Sequence, residues 1–309
     1  MSRPSQLTSI LAKYTPSISE SIQQSLIDAP PFLGGMLRYH FGWVDEQFDP
    51  VRTDSGKFLR PTICLLVFEA LTGDFRPALP VAAAIEMIHN FSLIHDDVED
   101  ADRERRGRPT VWVVWGQPLA INAGDYLYTL AFKTVSRLDT AQFSADRILA
   151  IQQLLVDACL DLTLGQDMDL RFEQLQGVST EMYLEMIDKK TGALLEAAVL
   201  AGAMLGTSDE GVIKNYREFA HNIGLAFQIR DDFLGVWGDE AQTGKSADND
   251  LRRKKKTLPV LYTLNTFSDE QLHALYATDA PLSDSEIQFV RKCLLEVDAD
   301  TFVRRAADT

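Results

Sequence analysis

IEMIHNFSLIHDDVEDADRERRGRP, residues 85–109, decides the reading of the fold. Ile85, Ile88, Phe91, Ser92 and the pair Ile94/His95 recur at three- and four-residue steps, the spacing of one face of a buried helix. Three carboxylates close that helix. Asp96 and Asp100 lie four apart and share a face, with Asp97 turned about 100° away. Crowded carboxylates repel unless cations neutralise them, and oxygen-only donors suit hard divalent ions. Mg²⁺ fits best, because it keeps waters and shares substrate phosphate oxygens. A lone DDxxD is more often a solvated helix end, but here the apolar run before it calls for a buried helix. Arg105 and Arg106 follow, and guanidinium groups bind phosphate in two-pronged fashion.

The same periodicity extends outward. Leu154, Leu155, Ala158, Leu162 and Gly165 repeat it, as do Met182, Met186, Leu194, Ala197, Ala198 and Ala201. No alternating run bounded by Asn-Gly or Asp-Gly predicts a hairpin. Breaks such as Ala29-Pro-Pro, Gly107-Arg-Pro and Leu205-Gly-Thr-Ser leave segments of roughly 12 to 25 residues, normal for a large bundle. No linker divides the chain. The expectation is an all-α helical bundle in a single domain, 1–309. Its motifs fall in about 50–265, with packing helices at 266–309 that start near Ser268-Asp-Glu and Ser283-Asp-Ser-Glu.

Composition sets bounds on function. The chain has 309 residues, 46% hydrophobic and 24% charged, as in globular proteins. Its net charge of −15 argues against nucleic-acid partners, which demand positive contact surfaces. It leaves room for an anionic substrate held by a local basic cluster. Three cysteines, Cys64, Cys159 and Cys293, form neither a zinc pattern nor a disulfide framework, so a reducing cytoplasm is expected. The N-terminus lacks the apolar run of a signal peptide. The longest charge-free stretch, 109–124, is broken by Gly116, Gln117, Pro118 and Asn122, so no membrane span is expected.

A second stretch, residues 227–259, repeats the acidic theme. Asp231 and Asp232 follow the apolar Ile223, Phe227 and Ile229, and Lys245, Lys254, Lys255 and Lys256 come after them. Alone, the basic run could be a solvated face. Beside a di-aspartate in an acidic chain it reads as a phosphate clamp over a metal site. In Gly56-Lys57-Phe58-Leu59-Arg60-Pro61, Lys57 and Arg60 stand at a helix start, where backbone N–H groups also favour anions. Lys190-Thr191 stands mid-helix in an Ala-rich context.

Taken in order, these motifs resemble those of the trans-isoprenyl diphosphate synthases, or polyprenyl synthetases, in their geranylgeranyl diphosphate synthase-like form. The match runs through GKxLRP, Asp96-Asp97-x-x-Asp100 with Arg105-Arg106, Gly165-Gln166 with Asp169, Lys190-Thr191, Gln228-x-x-Asp231-Asp232, the Thr-Gly-Lys245 loop and Lys-Lys-Thr-Leu-Pro259. The resemblance implies Mg²⁺-assisted ionisation of an allylic diphosphate. The double bond of isopentenyl diphosphate then attacks the allylic cation, and a proton is lost. About three Mg²⁺ ions serve each site, with Asp96, Asp100 and Asp231 as principal ligands and Asp97 and Asp232 as further or water-mediated ones. Arg105, Lys190, Lys245 and Lys255 hold the allylic diphosphate, and Thr191 and Gln228 line the cation with oxygen dipoles. Gly56, Lys57, Arg60, His89 and Arg106 match the isopentenyl diphosphate positions, and the family is usually homodimeric.

Two positions depart from the family pattern. Gly235 stands where a third aspartate is usual, with Asp239 close behind, and Phe58 stands where a second basic residue is common. Phe91 and Ser92 precede Asp96 by about 7.5 and 6 Å along the helix axis, where a bulky residue would stop a growing tail. An aromatic with a small neighbour there is similar to C20 synthases; C15 ranks next and C25 last. A class I terpene cyclase would lack the Gly56–Pro61 cluster and a second Asp pair followed by Lys. A non-catalytic partner subunit would have lost the first aspartate motif, and a bare cation-binding module would not need the Arg and Lys clusters.

Overall fold

The computed structural model describes residues 6–308 except 52, 54, 55, 176, 239–247 and 279. Helices make up nearly all its regular structure, so the all-α expectation holds. They are α1 (Gln6–Ser25), α2 (Pro31–His40), α3 (Leu59–Thr72), α4 (Leu79–Glu99), α5 (Val111–Trp115), α6 (Gln117–Val135), α7 (Ala145–Gln174), α8 (Thr180–Ile187), α9 (Ala193–Gly206) and α10 (Glu210–Trp237). Among the described residues five shorter helices follow. Contacts group the chain into two compact units: Met1–Asp157 with Ala197–Arg217, and Ala158–Glu196 with Glu218–Thr309.

In the first unit α4 packs chiefly along α6. Pro80 sits in its first turn, where a missing N–H costs nothing. Residues 81–88 are all buried, so the helix is enclosed on every side over two turns, where the spacing suggested a single apolar face. The small Ala82, Ala83 and Ala84 let neighbours approach all round. A Cβ at Gly124 would collide with the His95 ring, whose Nε2–H donates to the Ile121 carbonyl at 3.1 Å. That contact locks α4 against α6 one residue before Asp96.

The second unit holds two apolar clusters. One gathers Phe172, Tyr183, Ile187, Ile229, Phe233 and Leu258. The other joins Val236, Leu251 and Val260 to Ile287 and Leu294 of the terminal helices. Ser283 forms a reciprocal capping box with Glu286, as its sequence suggests. In the other expected start, the cap is Asp269, not Ser268.

One expectation needs correction. A short hairpin pairs Glu104–Arg105 with Arg108–Pro109. It lacks Asn-Gly or Asp-Gly, but Arg106 and Gly107 supply two successive positive φ angles, 54° and 70°, the signature of a tight hairpin turn. Two helices, 76–99 and 145–172, are long and apolar enough to cross a membrane by length and composition, with mean hydropathy 1.3 and 1.5. The first of them is the enclosed core helix.

Gly202 of α9 lies against the Cys64 carbonyl and Val67 of α3 with no room for a methyl group. Gly202→Ala is expected to destabilise the fold by about 1–3 kcal/mol, read as a lower melting temperature.

Candidate active site

At the end of α4, Asp97 is 1% exposed, and its Oδ1 accepts from Arg105 Nε and Nη2, both at 2.8 Å. Its Oδ2 is buried with no hydrogen-bond partner among the described residues. Burial pushes the carboxyl up to about 6 against the pull of Arg105. Asp100 caps the helix, its N–H bonded to the Asp96 carbonyl at 2.8 Å. Asp96 is half-buried and Asp100 exposed, so the two that share a face reach solvent while Asp97 turns inward.

The hairpin carries Arg105 and Arg106 back toward α3 and α4. Gly56 has φ +90°, and a Cβ there would stand 2.6 Å from Arg106 Nη2. Only glycine allows the guanidinium to lie on that backbone. Arg60 in the first turn of α3 donates from Nη1 to His89 Nε2 at 3.4 Å, and its Nε is buried with no hydrogen-bond partner among the described residues. Burial, then Arg60 and Arg106, hold the His89 imidazole well below its ordinary value, so it is neutral. Gly56, Arg60, His89 and Arg106 are thus brought together, and Lys57 is exposed nearby in sequence. Phe58 is 3% exposed at a left-handed φ of 49°, so packing explains its departure from a basic residue.

A polar relay lies within the buried turns of α4. Asn90 Nδ2 donates to Glu86 Oε1 at 2.9 Å and to the Glu86 carbonyl at 2.8 Å. Asn90 Oδ1 is then an acceptor, and His40 Nε2–H donates to it at 3.1 Å. Burial lowers the His40 imidazole to about 3, helped by Arg106 and Arg105, so the ring is neutral. Glu86, Asn90 and His40 were not anticipated. The available signal was a polar pair four residues apart inside an apolar helix.

In the second unit, Lys190 and Thr191 do not stand in regular α-helix. They occupy a π-helical turn, Asp188–Gly192, between α8 and α9. A Cβ at Gly165 of α7 would collide with the Lys190 backbone, so the turn presses directly on α7. Lys190 pairs with Asp169 at 2.5 Å and Lys189 with Asp161 at 2.9 Å.

On α10, Asp231 is exposed but Asp232 is 3% exposed and fully engaged. Its Oδ2 accepts from Tyr183 Oη at 2.6 Å and the Leu258 N–H at 3.0 Å, and its Oδ1 accepts from Gln228 Nε2 at 3.1 Å. Burial still raises its carboxyl, against these bonds. The Asp250 carboxylate occupies the space beside Gly235, 2.6 Å from where a Cβ would stand. A third aspartate at 235 would require the Asp250 carboxylate to swing aside.

The basic run divides. Lys256 Nζ caps the end of α7 through the Phe172 and Leu175 carbonyls at 2.7 and 2.9 Å. Lys254 Nζ binds Thr278. These two are structural, and Lys255 is left exposed as the candidate clamp. Lys245 and Asp239 lie outside the described residues.

Phe91 stacks edge-on against Tyr128 at 4.8 Å, and Tyr128 packs on Phe132 at 5.1 Å, so the expected floor includes α6 rings that α4 alone did not reveal. Ser92 Oγ donates to the His89 carbonyl at 2.8 Å. Among the described residues no three His, Cys, Asp or Glu side chains converge to hold a metal alone. Exposed carboxylates and the unpartnered Asp97 Oδ2 nevertheless form an oxygen-only donor set. That set fits Mg²⁺ completed by water and substrate oxygens.

Residues 42–294 match the Polyprenyl synthetase family. Geranylgeranyl diphosphate synthase of Mycobacterium tuberculosis is 38% identical over 89% of this chain and 78% of its own. A (2E,6E)-farnesyl diphosphate synthase of Mycobacterium bovis is also 38% identical, over 80% of this chain and 67% of its own. The crystal structure of polyprenyl synthetase from Streptomyces coelicolor matches with TM-score 0.90 and 34% identity, covering 98% of this chain and 90% of that one.

Burial pushes the Glu86 carboxyl up from an ordinary 4.5 to about 7. The folded state therefore holds that proton more tightly than the unfolded one. Stability falls as pH rises from the ordinary value through about 7 and then levels off. Glu86→Gln lacks this loss. Its unfolding free energy should gain on wild type by on the order of 3 kcal/mol between about pH 5 and about pH 8, measured by denaturant titration.

Proposed function

The chain belongs to the polyprenyl synthetase family and is a short-chain trans-prenyltransferase; from that premise we propose that it makes geranylgeranyl (C20) diphosphate from isopentenyl diphosphate and an allylic diphosphate. The observation that carries the reading is the cluster of Gly56, Arg60, His89 and Arg106, an anion site in the same unit as the Asp96–Asp100 helix end. A cyclase has no use for it.

In this reading Arg60, Arg106, Lys57 and the Gly56 turn bind isopentenyl diphosphate, and neutral His89 adds a hydrogen bond without repelling the arginines. Arg105, Lys190, Lys245 and Lys255 hold the allylic diphosphate. Its C–O bond breaks, and the electron pair leaves with the diphosphate. The carbonyl and hydroxyl dipoles of Gln228 and Thr191 face the allylic cation. The isopentenyl double bond closes the new C–C bond, and the departing diphosphate takes the proton then lost. Mg²⁺, held by Asp96, Asp100 and Asp231, supplies when bound the charge neutralisation that makes diphosphate a leaving group. Asp97 and Asp232 support these ligands, in keeping with their own protein partners. Phe91, backed by Tyr128, stops the tail, and Ser92 leaves room beside it.

The proposal takes the whole chain as one catalytic domain, working as a cytoplasmic homodimer. Exposed leucines such as Leu149, 62% exposed, offer apolar surface for pairing.

Incubation with Mg²⁺, isopentenyl diphosphate and C5, C10 or C15 starters should give mainly a C20 alcohol after dephosphorylation, sized by mass spectrometry. A dominant C15 product would replace the C20 assignment, as the farnesyl-forming relative allows. Phe91→Ala should lengthen the product. Asp96→Ala should lower kcat/KM by on the order of 10³, and full Mg²⁺-dependent turnover in that variant would overturn the metal assignment.

A further inference from the structure

Asp232 is 3% exposed and takes hydrogen bonds from three directions: Tyr183 of α8, the Leu258 N–H, and Gln228 one turn earlier on α10. Tyr183 Oη at 2.6 Å and the Leu258 N–H at 3.0 Å share Oδ2, while Gln228 Nε2 reaches Oδ1 at 3.1 Å. A Gln and an Asp four residues apart on a helix often bond simply as neighbours. Here the aspartate is also pinned from outside its helix, so the bond sets the glutamine rather than the reverse. An ionised carboxylate can only accept, so Gln228 must turn its NH₂ group to Asp232. The Gln228 carbonyl oxygen is then held on the opposite side of the amide. Buried with both oxygens engaged, Asp232 is placed to orient a neighbour rather than to reach a metal ion.

We propose that Asp232 is a positioning residue for the Gln228 carbonyl, with Tyr183 and the Leu258 N–H fixing the carboxylate that orients it. The inference rests on the prenyltransferase reading, in which that carbonyl faces the allylic cation. A dipole aimed at folding needs no reorganisation when the positive charge develops. A freely turning amide would present its N–H groups to the cation part of the time and repel it. Asp231, exposed and next in the chain, serves the metal. The two adjacent aspartates thus divide the work: one holds a metal ion, the other aims a neutral dipole.

Asp232→Asn separates the two roles. The new amide oxygen still receives Tyr183 and the Leu258 N–H, but its NH₂ group now meets Gln228 and draws the glutamine carbonyl toward itself. kcat should fall by on the order of 10², with KM for both diphosphates within about twofold of wild type. Mg²⁺ affinity in the presence of inorganic diphosphate, measured by calorimetry, should also stay within about twofold, whereas a group that supports metal would weaken it more. In a Gln228→Ala background, where kcat is already low, Asp232→Asn should cost less than about twofold, because the group it misdirects is gone. Tyr183→Phe leaves the Leu258 bond in place and should lower kcat about tenfold, again only when Gln228 is present. It carries the test alone if Asp232→Asn does not fold. Unchanged kcat, a full loss in the Gln228→Ala background, or weakened Mg²⁺ binding would each overturn the proposal. If wild type elongates no starter, the prenyltransferase reading fails and this inference falls with it.

Discussion

An acidic helix end persists only where its charge is met, and in the first unit it is met by Arg105. The Asp97–Arg105 pair ties the last turn of α4 to the first strand of the short hairpin. α4 is enclosed, so its end cannot shift without disturbing the core. The hairpin, in turn, brings Arg106 onto the Gly56 backbone. Arg108 secures its far side, donating to the Val44 carbonyl at 2.8 Å and lying 4.0 Å over the Tyr39 ring. One buried ion pair thus sets where two potential phosphate-binding guanidinium groups stand.

The same logic recurs in the second unit. Lys190 rests on Asp169 and Lys189 on Asp161. Asp232 receives three hydrogen bonds, linking α8, α10 and the helix that starts at Leu258. Cations held in advance need little reorganisation when an anion enters, because their positions are set at folding. The cost is acidic company, which explains how a chain of net charge −15 can present local basic sites to a polyanion.

Motif order and helical spacing made the all-α fold, the two aspartate pairs and the Gly56–Arg60 cluster legible in the sequence. Spacing reports which face a residue occupies, and that was enough to set Asp96 and Asp100 apart from Asp97. It does not report what a side chain meets. Lys254, Lys255 and Lys256 look equivalent in sequence, but two of them bind protein carbonyls and one does not. The hairpin escaped because Arg-Gly is a rare way to reach two positive φ angles. His40 and Asn90 are 50 residues apart and meet only after α2 folds back on α4. Tyr128 likewise meets Phe91 from another helix.

The π turn at Asp188–Gly192 has a hereditary consequence. Adjacent lysines there reach carboxylates eight positions apart on α7, a span of about 12 Å that the widened turn accommodates. A Cβ at Gly192 would stand 2.9 Å from the Asp188 carboxylate. Losing one codon here would turn every later side chain of α9 by about 100°. Substitutions across this stretch act one side chain at a time, whereas a change of length acts on the whole of α9.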